Sequence, residues 1–122
     1  DAGLLPRIEA IVHPLVAQDR AAFLSAATTD IAVLDIPLLF EKSSQTEFDA
    51  TLLVTAPADL QRQRVMARPG MTEDKFAAIL KLQVPDAEKR ARADFIIDTG
   101  TSLGKTRSQV AGLVAQLLNQ RK

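Results

Sequence analysis

The stretch Asp49-Ala50-Thr51-Leu52-Leu53-Val54-Thr55-Ala56-Pro57 decides the fold. Its centre is a short, continuous run of aliphatic and β-branched residues, and it ends at a proline that has no N–H to give to a ladder. Such a run predicts a strand buried on both faces, the kind found in parallel sheets. Two other stretches read the same way: Ile31-Ala32-Val33-Leu34-Asp35-Ile36, closed by Pro37, and Phe95-Ile96-Ile97-Asp98. The expectation is therefore parallel strands near 31–36, 50–56 and 94–98.

Helical patterns surround these runs. Leu5, Ile8, Val12, Leu15, Val16 and Phe23 recur at helical spacing, with Pro14 inside the pattern, which predicts a helix to about Ala27 that bends near His13. After Pro57 a helix is expected to about Ala67, with Asp59 in its first turn, where a carboxylate favours the free amides. Arg68-Pro69-Gly70 breaks it. Thr72 is placed to cap a helix reaching about Gln83, and Glu73 and Asp74 follow in its first turn. A short charged helix over 86–93 precedes the strand at 94–98, and an amphipathic helix from Thr106, as its N-cap, to Gln120 closes the chain. Strands alternating with helices give an α/β fold with a parallel sheet. Three parts are expected: core strands over 1–60, a helical insertion or lid over 61–93, and the last strand and closing helix over 94–122.

Composition narrows the chemistry. The 122 residues carry 15 basic and 15 acidic side chains, with 47% hydrophobic and 4% aromatic residues and no cysteine. Disulfides, cysteine-zinc sites and thiol catalysis are excluded, and the reading leans toward a reducing cytoplasm. No apolar run approaches the roughly 20 residues of a membrane span, and no secretory signal is visible at the start. The zero balance is an average over two unlike halves. Residues 1–60 hold three basic side chains (Arg7, Arg20, Lys42) against nine acidic, whereas residues 61–122 hold twelve against six. Without interleaved aromatics for base stacking, the basic half is a poor nucleic-acid platform. Small phosphorylated ligands, or merely solvated helix faces, suit it better.

Four local patterns bear on function. Gln61, Arg64 and Arg68 share one helix face; they are either solvated surface or an arginine pair for phosphate, which guanidinium groups grip through two N–H bonds. Asp35 ends an apolar strand, as a magnesium-binding carboxylate does, or else caps a nearby helix or loop. Gly100-Thr101-Ser102-Leu103-Gly104-Lys105-Thr106 has the strand-to-helix setting of a phosphate loop but is one residue short between its glycines. It reads instead as an ordinary strand-to-helix connection with Thr106 as N-cap. His13, the single histidine, is a packed or capping residue or a substrate contact.

Taken in order, Ile8-Glu9-Ala10-Ile11-Val12-His13-Pro14-Leu15-Val16, then Asp35-Ile36-Pro37-Leu38-Leu39-Phe40-Glu41, then Ala56-Pro57 with Gln61, Arg64 and Arg68, then Ala93-Asp94-Phe95-Ile96-Ile97-Asp98 with Gly100, resemble the dephospho-coenzyme A kinase family. The resemblance runs from Leu5 to about Leu118. It implies a partial P-loop kinase fold, with ATP and magnesium, and transfer of the γ-phosphate to the ribose 3′-hydroxyl of dephospho-CoA, the final step of coenzyme A biosynthesis. It also implies dephospho-CoA contacts at His13, Pro37, Leu38, Leu39 and Glu41, nucleotide contacts at Arg64, Arg68, Thr99 and Gly100, and magnesium at Asp35. The family's amino-terminal strand, its glycine-rich phosphate loop and the acidic residue that follows are not among these matches. The chain by itself is accordingly expected to be inactive as a kinase, with no catalytic residue of its own. Its unpaired strand edges are expected to pair directly, to self-associate or to take another segment. The competing readings are a different nucleoside or nucleotide kinase, and a non-catalytic fragment that binds CoA, an adenine nucleotide or a protein partner.

Overall fold

The computed structural model describes residues 3–43 and 45–120. The chain divides into two compact units, Asp1–Asp35 and Ile36–Lys122. In the first, helix α1 spans Leu4–Ala26 and runs through Pro14 without restarting. The proline leaves the Ala10 carbonyl without its helical donor, yet the apolar spacing on either side continues one helix. Both Leu5 and Ile11 on α1 are largely exposed.

The strand expected at 31–36 is not formed: these residues take no regular structure, and Val33 is 79% exposed. A strand exists by virtue of its ladder, and among the described residues no neighbour pairs with this segment. The Ile31 carbonyl instead accepts a hydrogen bond from the Thr29 hydroxyl at 3.0 Å. Apolar composition alone does not hold an extended chain in a sheet.

The second unit carries the sheet. After a turn over 37–43 and a short 3-10 helix, Gln45–Glu47, come β1 (Leu52–Thr55), α2 (Ala58–Met66), α3 (Glu73–Leu82), α4 (Asp86–Arg92), β2 (Phe95–Asp98) and α5 (Leu103–Gln120). The two strands pair in parallel, Leu52 opposite Phe95 through Thr55 opposite Asp98. Three helices make the crossover that a parallel pair requires.

A clamp sets the register at the strand entrances. Thr51 N–H and hydroxyl both donate to Asp94 Oδ2, at 2.8 and 3.1 Å, and the Thr51 carbonyl accepts from the Asp94 and Phe95 amides. Burial alternates along β1: Thr51 and Thr55 are buried while Leu52 and Val54 are exposed. The expectation of burial on both faces therefore fails for β1, whose other side leaves Leu52 42% and Val54 60% exposed. Among the described residues the buried apolar side chains are Phe40, Phe76 and Ile97.

Caps and turns explain the helix limits. Thr72 accepts a hydrogen bond from the Lys75 amide at 3.2 Å, as its spacing predicts, and starts α3. Before it, Gly70 takes a positive φ of 78°, which glycine tolerates best. At α5 the start lies earlier than expected. Ser102, rather than Thr106, accepts from an amide three residues on, that of Lys105, at 3.2 Å, which leaves Thr106 inside the helix. Two hydroxyls compete for the cap, and the one nearer the strand begins the helix a turn sooner.

Candidate functional site

A cleft of about 470 Å³ opens at the carboxyl end of β1, bounded by α2, the end of α3, the start of α4 and Thr99. Open α/β sheets characteristically offer ligand sites at this end of their strands. Pro57 starts α2 directly after the strand, and Gln61 and Arg64 from that helix line the cleft together with Arg68, which lies two residues past the helix end at Met66 rather than on the shared helix face expected.

The two arginines differ in what holds them. Arg64 donates to the Thr99 hydroxyl at 3.0 Å and to the Thr99 carbonyl at 2.7 Å. Thr99 is itself fixed to β1, with its amide and hydroxyl both donating to the Thr55 carbonyl at 2.8 and 2.9 Å. Arg64 is thus an anchored positive charge that ties α2 to the loop after β2. Arg68, four residues on, past the end of α2 and next to the Pro69-Gly70 break, has no side-chain partner among the described residues. Its donors are open to a ligand.

The loop after β2 owes its shape to Gly100. The Gly100 amide donates to Asp98 Oδ1 at 2.7 Å, and a side-chain carbon at this position would come within 2.5 Å of Pro57 Cδ. Only glycine lets the loop pass this close to the start of α2. Gln109 of α5 fastens the same strand end, accepting from the Asp98 amide and donating to its carbonyl.

Sequence reasoning missed the opposite wall. Thr55, buried at the tip of β1, donates its hydroxyl to Asp86 Oδ1 at 2.8 Å and accepts from Arg90 Nη2 at 3.2 Å. Arg90 Nε donates to Asp86 Oδ2 at 2.7 Å. The Asp86 carboxyl is held below the ordinary carboxylate range, chiefly by the Arg90 hydrogen bond; partial burial opposes this, while the Thr55 hydroxyl and the charges of Arg90 and Lys89 add to it. The group's folded pKa is depressed, so its contribution to stability is complete above the unfolded value near 3.8 and is lost as pH falls through the lower folded value. Acid titration followed by α4 amide signals is expected to show α4 loosening only below the ordinary carboxylate range. Asp86→Asn should abolish that step; a step that persists in the variant would assign it to another group.

Lys89, also on α4, reaches Glu41 at 2.9 Å, linking the turn over 37–43 to the cleft wall. That turn is closed by bonds from the Lys42 amide to the Leu38 carbonyl and from the Ser43 amide to the Phe40 carbonyl, with Phe40 buried beneath it. Pro37, Leu38 and Leu39 occupy the turn but do not line the cleft. His13 and Asp35 belong to the first unit and are exposed. Among the described residues no group of three or more His, Cys, Asp and Glu side chains gathers as a metal site, and no helix is long and apolar enough to cross a membrane.

A family model for dephospho-CoA kinase matches residues 4–105. The chain belongs to the dephospho-CoA kinase family. It is 61% identical over 115 residues to the dephospho-CoA kinase of Novosphingobium aromaticivorans, covering 93% of this chain and 57% of the relative. The Mesorhizobium japonicum dephospho-CoA kinase is 57% identical over 124 residues, covering 99% of this chain and 63% of the relative. The crystal structure of TT1252 from Thermus thermophilus superposes with a TM-score of 0.80 at 36% identity, covering 96% of this chain and 61% of that one. The chain thus spans about three fifths of the length of the relatives it matches. The α/β fold, with two parallel strands and flanking helices, is that of the family.

Proposed function

We propose that this chain forms the nucleotide-facing cleft and the acceptor corner of a dephospho-CoA kinase, which moves the γ-phosphate of ATP to the ribose 3′-hydroxyl of dephospho-CoA. One observation carries the reading: in a cleft at the carboxyl end of a parallel strand, an anchored guanidinium, Arg64, is joined by an open one, Arg68, just past the end of the same helix. Phosphoryl transfer asks the protein mainly for positioning and for positive charge around the moving group. Arg64 supplies fixed charge that needs no reorganisation when a phosphate arrives, and Arg68 supplies free N–H donors. Thr99 and Gly100 shape the loop that faces the nucleotide. His13, Pro37, Leu38 and Leu39 are assigned to the dephospho-CoA side, and residues 61–93 to a lid.

Magnesium at a phosphoryl-transfer site takes one or two carboxylates and completes its shell with water and phosphate oxygens. A lone exposed carboxylate fits that demand, and Asp35 is the residue we assign to it. Such an ion would neutralise charge on phosphate oxygens. The absence of cysteine supports a reducing compartment, and we place the protein in the cytoplasm.

Calorimetric titration of ATP into the chain tests the assignment. Binding is expected, and Arg68→Ala is expected to weaken it about tenfold, the loss of one charge-assisted phosphate contact. An unchanged affinity in the variant, or no ATP binding by the unaltered chain, would refute the cleft as the nucleotide site.

A further inference from the structure

Glu41 falls within the corner assigned to dephospho-CoA, but its geometry is not that of a ligand contact. Its side chain is only 8% exposed, and it faces Lys89, 16% exposed, with Oε1 2.9 Å from Nζ. The contact is one of charge: neither carboxylate oxygen has an aligned hydrogen bond, and the nearby Gln45 Oε1 is likewise buried without one. A buried pair with its remaining lone pairs unsatisfied contributes little net stability, since desolvation offsets the attraction, whereas removing one partner strands the other. Its consequence here lies in position. Lys89 sits one turn after Asp86, the residue that Thr55 and Arg90 hold at the tip of β1. Helix α4 is therefore tied at two points, to β1 through Asp86 and to the 37–43 turn through Lys89, and both tied residues line the cleft with Arg64 and Arg68.

We propose that Glu41 is a positioning residue which, acting through Lys89, straps α4 to the 37–43 turn and thereby sets the wall of the cleft opposite the arginines. The inference deepens the functional reading above and uses its cleft, but the strap is a property of the free chain. In consequence the acceptor corner and the nucleotide cleft are mechanically joined. A shift of the turn on binding one substrate is passed to the cleft wall that meets the other.

The test is amide hydrogen exchange of the complete chain without ligand, followed by titration with ATP and with dephospho-CoA. Glu41→Gln is expected to speed exchange across 86–92 about tenfold while leaving 52–55 and 95–98 slow. Lys89→Met should do the same, and the double variant should add nothing further, because the two side chains form one strap. Lys89→Arg, which keeps the charge, should restore slow exchange. Additive single effects, or unaltered α4 exchange in Glu41→Gln together with weakened dephospho-CoA binding, would overturn the proposal and make Glu41 a direct ligand contact. If the unaltered chain binds neither substrate, the functional reading fails, and the exchange data still decide the strap.

Discussion

Ile97→Ala is expected to cost about 2–5 kcal/mol, the range for deleting a large buried aliphatic side chain where its surroundings collapse only in part. Ile97 is 4% exposed and lies at the centre of β2, opposite Val54 of β1, with Leu113 and Gly112 of α5 around the same groove. Few apolar side chains among the described residues are buried, so each carries a large share of the cohesion between strand and helix. The register partner, Val54, is 60% exposed, and Val54→Ala should cost much less, within about 1 kcal/mol, as for surface positions generally. Urea unfolding of both variants by circular dichroism checks the contrast. Equal losses at the two positions would mean that the sheet is held by strand pairing rather than by what β2 packs against.

The same contrast shows what could be read from the residues alone. The runs at 50–56 and 94–98 announce themselves as strands, and Thr72, Gly70, Pro57 and Pro69 mark helix limits where Pro14 does not, because these signals act within a few residues of their cause. Asp35 and its neighbours show where such reading stops. The run 31–36 is as apolar as the other two, yet a strand forms only with a partner, and no local pattern says whether one lies alongside. The site divides in the same way. Spacing puts Gln61 and Arg64 on one face of α2, but the helix stops at Met66, short of Arg68, and the i,i+4 spacing of Asp86 and Arg90 allows their pair without announcing its bond to Thr55. That Arg64 is anchored and Arg68 open depends on Thr99, 35 residues from Arg64 in sequence. The Glu41–Lys89 strap depends on a contact across the crossover helices. Pairings of that reach follow from the fold and not from the sequence around either residue.

Gly100→Ala is expected to have the second large effect, and it reaches the site as well as the fold. The added methyl group would stand 2.5 Å from Pro57 Cδ, 3.0 Å from Pro57 Cγ and 2.9 Å from Asp98 Oδ1. No real carbon contact is this short, so either the loop or the start of α2 must move. The proline ring is rigid and begins the helix that carries Arg64 and leads into Arg68, and overpacking against such a group typically costs about 1–3 kcal/mol. Any retreat of the loop also draws Thr99 away from Thr55 and Arg64, four hydrogen bonds that hold the cleft floor together. The variant should therefore lose ATP affinity by more than its stability loss alone explains, as Arg64 gains freedom that a bound phosphate must again restrict. A companion substitution separates the causes. In Pro57→Ala/Gly100→Ala the two closest carbons are gone and the Asp98 carboxylate can rotate aside, so most of the lost stability and affinity should return. If the double variant is no better than Gly100→Ala, the constraint lies in the backbone of residue 100 itself, and the close approach to Pro57 is a consequence of the loop rather than its cause.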